Sequence, residues 1–422
     1  MTRSRRVAVV ARSVFPLHGL GGLERSVYDL VRHLAGAGVE VTLITRPPLR
    51  SSSPSSSSSA TAAAIDPRIR LQTVPYRTFP FAGRRGTTVI DRSTAYPLFG
   101  ERAGHAAWRL VEKGAIDLVH GFGASVLGYA RRRRQSAAPL VLNPQGLEEF
   151  GATDPSRARL KRAGYFPLRL AVRACARAAD AIIATDRALE PVVRSHLRVD
   201  RDRIRVIPNA LDLAIVDGLA TAADGRRVRR EAGIAEDEIV LLSVGRLEEN
   251  KGFHVLAAAL AALRDHSGRI AEGTWRWVVA GDGPFRQALA SVIRNAGLDS
   301  QVRLTGRLPD GDLHAWYEAA DLFVHPTLYE GSSLVTLEAM SHRKAVVCTT
   351  AGGLPDKVRP GVNGWLVPPG DASALASAIS GALGAPERLP ALGIAGRAIV
   401  EREFSWTGAG AATLRLYEDL LR

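Results

Sequence analysis

The sequence predicts an α/β protein made of two Rossmann-like, doubly wound domains facing each other across a cleft. Three observations carry that expectation. Short apolar runs alternate with longer amphipathic stretches, the pattern of a parallel sheet covered by helices on both faces. The alternation runs through the first half of the chain and begins again near residue 239. Glycine and polar clusters follow the apolar runs, and open parallel sheets bind ligands just outside the carboxyl ends of their strands.

The elements follow in order. Residues 7–11 read as a buried first strand. The basic lead imitates a signal peptide, but this apolar run is too short for a signal core and no A-x-A-like site follows soon after it. The helix "GGLERSVYDLVRHLAGAG" and the strand "VEVTLIT" come next. The segment "SSSPSSSSSATAAA" (51–64) is low in complexity and is read as a disordered surface loop. "IDLVHGF", the helical "ASVLGYARRRR", "PLVLN", a strand at 180–185 and "RIRVIPN" complete the first set. The second set opens with the strand "IVLLSVGRL" and the helix "GFHVLAAALAAL". "WRWVVAGDG" is a strand ending in a glycine turn. "PFRQALASVIRNAG" is a helix opened by Pro284 and closed by Gly297. "VRLTGRL", "DLFVHPT" and "KAVVCTT" are further strands. The expected boundaries are 1–207 and 208–403, with a last helix, 404–422, crossing back to the first domain because its apolar face needs a partner.

Composition narrows the class. The 422 residues are 46% hydrophobic and 23% charged, ordinary values for a globular protein with room for real cores. Cys175 and Cys348 stand far apart and offer neither a disulfide framework nor a metal-ligand spacing, so a reducing, cytoplasmic setting is expected. No run of about 18 apolar residues occurs to span a membrane. The net charge of +14 is uneven, with +16 in residues 1–200 and −2 in the remainder. Residues 131–134 and 157–177 are the densest basic stretches. Such charge fits an anionic membrane surface, on the inner face of the plasma membrane, or an acidic polymer; it fits a solvated arginine-rich surface equally well. No nucleic-acid partner is expected, because no recognition motif or aromatic platform accompanies the charge.

Charged residues at strand ends supply the candidate chemistry. Arg246 and Lys251 lie between a strand and a helix, where a cation opposes the helix dipole unless an anionic ligand is held there. Two such cations suit a diphosphate and can neutralise charge developing on a leaving phosphate. Glu330 precedes a helix that begins at Ser332 or Ser333 by N-cap preference. Glu338 lies farther along, flanked by Leu337, Ala339 and Met340. A carboxylate in that setting is costly unless it meets a polar partner, and paired sugar hydroxyls are one. On spacing alone, an amphipathic helix with one wet glutamate is the better explanation of Glu338.

The stretch "YEGSSLVTLEAM" resembles the Glu-x7-Glu signature of retaining glycosyltransferases of family 4, enzymes of the GT-B fold. The resemblance extends in order through "GGLERSVYDLVRHLAGAGVEVTLIT", "IPNALD", "SVGRLEENKG", "VAGDGP" and "AGGLPDKVRPGVNGWLVPPGD". It implies that Arg246 and Lys251 hold the diphosphate of a nucleotide-sugar donor. Glu330, with the backbone N–H groups of Gly331, Ser332, Ser333 and Leu334, would bind the donor sugar. Glu338 would bind the ribose, and Arg307 and Leu308 would lie near the base. Gly21 and Gly22 would let the first loop approach the donor and the acceptor, and His120 would lie near the reacting carbon. The family resemblance also implies transfer with retention, to a glycan, lipid-linked or small-molecule acceptor, in polysaccharide or glycolipid synthesis. No covalent nucleophile is evident, so front-face attack is expected, with the departing phosphate taking the acceptor's proton. No cofactor or metal is expected; "DRD" (200–202) and "DGD" (310–312) sit among turn residues. Three departures stand out: Gln145 where the family often has histidine, Asp356 where glutamate is commoner, and "EGSSL" for the usual "EGFGL". A nucleotide-sugar 2-epimerase and a non-catalytic nucleotide-sugar-binding protein are the competing readings.

Overall fold

The computed structural model describes residues 5–19, 21–48, 65–78, 87–144, 147–150, 163–266 and 275–422. The serine-rich segment 51–64 and Gln145 lie outside the described residues. The chain divides into two units, 1–209 with 407–422, and 210–406.

The first unit holds seven parallel strands: β1 (Arg6–Val10), β2 (Glu40–Thr45), β3 (Arg70–Thr73), β4 (Leu118–Phe122), β5 (Leu140–Asn143), β6 (Ala181–Ala184) and β7 (Ile204–Val206). Their order is β3-β2-β1-β4-β5-β6-β7. β1 pairs with β2 on one side and β4 on the other, both parallel. Its residues Val7, Ala8, Val9 and Val10 are fully buried, as a strand covered on both faces requires. The strand order reverses between β1 and β4, which makes that gap the switch point where such sheets open a crevice. The helix Trp406–Leu421 supplies residues 407–421 to this unit. Its Tyr417 is fully buried, and Glu418 meets Arg5 at 2.7 Å.

The second unit holds β8 (Ile239–Val244), β9 (Trp275–Ala280), β10 (Val302–Gly306), β11 (Leu322–His325), β12 (Ala345–Thr349) and β13 (Gly364–Val367), in the order β10-β9-β8-β11-β12-β13. Alternating residues feed two cores, one on each face of the sheet. Val240, Leu242, Val278, Phe323 and Val346 enter one. Leu241, Trp277, Val279, Leu322 and Val347 enter the other. Here the switch point lies between β8 and β11.

The helix "PFRQALASVIRNAG" begins two residues later than Pro284, as Arg286–Asn295. Helical "ASVLGYARRRR" is shorter than read: a 3-10 turn, Gly123–Val126, leads into a single α-turn, Leu127–Arg131. Two strands, β3 and β13, were not expected from the sequence at all.

Candidate active site

The second unit's switch point gathers three of the expected residues. The loop after β8 carries Arg246 and Lys251, and the loop after β11 carries Glu330. The two loops are tied together: Leu328 N–H donates to Asn250 O at 2.8 Å, and Thr327 Oγ1 donates to the same carbonyl at 3.2 Å. Gly252 makes this approach possible. Its φ is +69°, and a Cβ there would stand 2.0 Å from Pro326 O. Gly352 seals the other side; its φ is +55°, and a Cβ would fall 1.8 Å from Glu330 O. Gly353 N–H then donates to Gly331 O at 2.9 Å.

Held this way, Lys251 Nζ donates to Glu330 Oε2 at 2.8 Å, and His325 Nε2 donates to the same oxygen at 2.8 Å. Glu330 Oε1 accepts from Gly331 N–H at 3.2 Å. Burial alone would raise the Glu330 carboxyl. The Lys251 ammonium and the His325 hydrogen bond outweigh it and hold the group well below the ordinary carboxylate range. Burial also lowers His325, against the opposing pull of Glu330, and keeps the imidazole neutral. The contact is therefore a hydrogen bond from a neutral ring, not an ion pair. Its Nδ1 is buried without a partner. His325 ends an otherwise apolar strand, and that was its one sequence signal.

Ser333 caps the helix Leu334–Ser341, its Oγ accepting from Thr336 N–H. Ser332 Oγ accepts from Nζ of the buried Lys357 at 3.3 Å. Glu338 sits on the same helix, where its Oε2 accepts from Tyr317 Oη at 2.9 Å. The Tyr317 ring stacks on His342, whose Nδ1 meets Glu318 at 2.6 Å. A buried aromatic pair thus orients the second glutamate, and sequence reasoning missed both members.

Other expected residues take different places. Arg246 does not join the Lys251–Glu330 contact. Its side chain is 70% exposed and pairs with Glu248 at 3.2 Å, an exposed contact of little energetic weight. Arg307 is exposed after β10, and Leu308 packs against the second unit's core. In the first unit, Gly21 caps the helix Gly22–Gly36 with ordinary φ, so neither glycine serves a left-handed turn. The preceding loop is anchored by His18. Its Nδ1 accepts from Val14 N–H at 3.1 Å, so Nε2 carries the proton and donates to Arg46 O at 2.9 Å.

His120 sits deep in the first unit. It lies inside β4, 1% exposed, stacked on Phe122, with Nδ1 in a 2.6 Å hydrogen bond to Tyr417 Oη. Burial drives its pKa down to about 3, so the ring is neutral. The Nδ1 contact ties β4 to the C-terminal helix, while Nε2 is buried without a partner among the described residues.

Comparison with known proteins bears on these arrangements. Residues 20–215 match the model described as Glycosyltransferase Family 4, and residues 238–384 match Glycosyl transferases group 1. D-inositol 3-phosphate glycosyltransferase 2 of Catenulispora acidiphila is 28% identical over 99% of this chain and 96% of its own. Alpha-maltose-1-phosphate synthase of Mycolicibacterium smegmatis is 30% identical over 67% of this chain and 73% of its own. Among solved structures, sucrose-phosphate synthase of Thermosynechococcus elongatus superposes with a TM-score of 0.76 at 25% identity, covering 99% of both chains. Anabaena HepE in complex with UDP gives 0.74 at 19% identity, covering 98% of this chain and all of its own.

Proposed function

The chain belongs to glycosyltransferase family 4, and from that premise we propose that it transfers a sugar, with retention of configuration, from a nucleoside-diphosphate sugar to an acceptor hydroxyl. The observation that carries this reading is the Lys251–Glu330–His325 cluster at the second unit's switch point. An ammonium and a carboxylate sharing one buried corner can meet the two halves of such a donor: phosphate oxygens on the cation, sugar hydroxyls on the anion. The named activities of the relatives, which form glycosidic bonds to inositol phosphate or make maltose 1-phosphate, support it. So does the occurrence of UDP and UDP-glucose in structurally similar HepE.

In the proposed reaction the acceptor oxygen bonds to the anomeric carbon as the bond to the β-phosphate breaks. The departing phosphate oxygen takes the acceptor's proton. Lys251 and Arg246 stabilise the charge that develops on that phosphate, the largest kind of catalytic contribution. Arg246 reaches the donor only by leaving Glu248, a weak pair to break. Glu330 and the N–H groups of Gly331 to Leu334 orient the sugar, and Glu338 binds the ribose beside Arg307 and Leu308. Gly21 and Gly22 let the first loop approach both donor and acceptor. We place the acceptor among glycans, lipid-linked sugars or small polyols, and the partner of the basic first unit is an anionic surface.

The test is a screen of common nucleotide sugars for donor hydrolysis and transfer, repeated with Lys251→Ala and Glu330→Gln. Each substitution should lower transfer by about 100-fold or more, the scale of losing one preorganised charge contact, with circular dichroism unchanged. Wild-type turnover in both variants would overturn the assignment. Release of an epimerised nucleotide sugar in place of a glycoside would replace transfer by epimerisation.

A further inference from the structure

The helix Phe166–Ala178 in the first unit has two unlike faces. Leu168, Ala171, Val172, Cys175 and Ala176 are buried in the core. At about 100° per residue, Phe166, Arg169, Leu170, Arg173 and Arg177 fall within one arc on the opposite side. Phe166 is 56% exposed and Leu170 50%, one turn apart. The helix contains no acidic residue.

Neighbouring groups reinforce its charge and hold it in place. The guanidinium groups of Arg169 and Arg173 lie over the Phe150 ring, 5.5 and 5.1 Å from its centroid. Arg173 Nε donates to His196 O at 2.9 Å, which fastens the arginine to the adjacent helix Glu190–Leu197. That helix is capped at its C-terminus by Arg198 and carries Arg194, both exposed. Its one acid, Glu190, is engaged by Arg201 at 2.8 Å. Burial, then the charges of Arg198, Arg169 and Arg177, weaken the hold of Arg173 on its proton, a sign of crowded like charges.

We propose that this face of the first unit lies in the plane of an anionic lipid bilayer, with Phe166 and Leu170 entering the headgroup–acyl boundary and the surrounding arginines on lipid phosphates. Charge complementarity selects an anionic partner, and the paired apolar side chains select one that also offers an apolar layer. A soluble acidic polymer satisfies the first demand and leaves the second unmet. No described helix is long and apolar enough to cross a membrane, so the contact is peripheral. The inference rests on the reading that the first unit meets an anionic surface, and it names the element responsible.

Sedimentation of the full chain with phosphatidylcholine vesicles, and with vesicles half phosphatidylglycerol, tests it. Wild type should bind the second kind alone and release with added salt. Phe166→Ser with Leu170→Ser should weaken that binding about tenfold, the worth of removing two half-exposed apolar side chains. Arg177→Glu should weaken it by a similar factor. Donor hydrolysis in solution should be unchanged in both variants, which separates loss of binding from loss of fold. If wild type ignores lipid charge, both the surface reading and this inference fall. If wild type binds and the two variants bind equally well, the anionic surface stands and this helix is not its contact. Binding to heparin but to neither vesicle would replace the bilayer with a soluble polyanion and overturn the proposal.

Discussion

A single oxygen, Oε2 of Glu330, shows how much chemistry rests on residue-scale placement. It receives both the Lys251 ammonium and the His325 ring, and together these overcome the cost of burying a carboxylate. Because the folded-state pKa is depressed, Glu330 contributes stability that is present above its unfolded value, about 4.3, and lost as pH falls toward the folded one. Removing one donor should shrink that range. In His325→Phe the acid limb of the kcat/KM profile should move upward, and denaturation at pH 7 should show a loss of about 1–3 kcal/mol from the missing hydrogen bond to the carboxylate Oε2, which Lys251 then holds alone. An unmoved acid limb would show that His325 does not set the state of Glu330. Tyr317 makes a parallel case through Glu338. Tyr317→Phe deletes one hydrogen bond to the proposed ribose ligand, so KM for the donor should rise about 2–10-fold with kcat nearly constant. A fall in kcat at constant KM would take Glu338 away from the ribose. Lys251 and Glu330 stood out as charges at strand ends in glycine-rich surroundings, whereas Glu338 was singled out over an ordinary wet glutamate only through the family resemblance. His325 and Tyr317 were not legible, because a histidine ending a strand and a tyrosine inside a helix carry no spacing signal. Their partners stand 5 and 21 residues away and meet them only on folding.

The elements buried on both faces were the most legible. The central strands β1, β8 and β9 are nearly continuous apolar runs because both faces are covered. The two strands missed, β3 and β13, are both edge strands. β3 has no buried residue among its four, and β13 only two of four, so neither writes a distinct apolar run. Helix ends followed their caps: Ser333 and Asp371 each accept from the N–H three residues on. Loops between elements are set by close backbone approach, and this gives a paired prediction about glycine. Gly352→Ala places a methyl 1.8 Å from Glu330 O at positive φ, so the Glu330 loop must shift. Transfer should fall by about 100-fold, as for direct loss of the contact. Gly381→Ala adds a methyl into open space inside the helix Ala372–Leu383. It should raise stability by about 0.5–1 kcal/mol and leave turnover unchanged. If Gly352→Ala works at the wild-type rate, the packing of the glycine turn on Glu330 does not hold the site.

At the scale of the molecule, each unit has its own sheet and core, so a single unfolding free energy is poorly defined and each must be followed separately. The first unit carries a distinct acid liability. His18 and His120 are both buried and neutral, with pKa values lowered by burial to about 4 and about 3. A histidine in the unfolded chain titrates near 6.5. The folded state therefore binds fewer protons between these values, and the stability from the two rings, whole above about pH 6.5, declines as pH falls toward 4. The His120 share can be isolated by replacing it together with its partner, since His120→Phe alone would strand the buried Tyr417 hydroxyl. In the double variant His120→Phe, Tyr417→Phe, amide exchange in β1 and β4 should accelerate less between pH 7 and pH 5 than in wild type. Exchange in β8 and β11 should respond to the same pH change equally in both proteins, because that unit keeps its own histidines. Identical pH dependence of β4 in wild type and variant would mean that the buried imidazole takes its proton without cost. The neutral, desolvated state assigned to it would then be wrong.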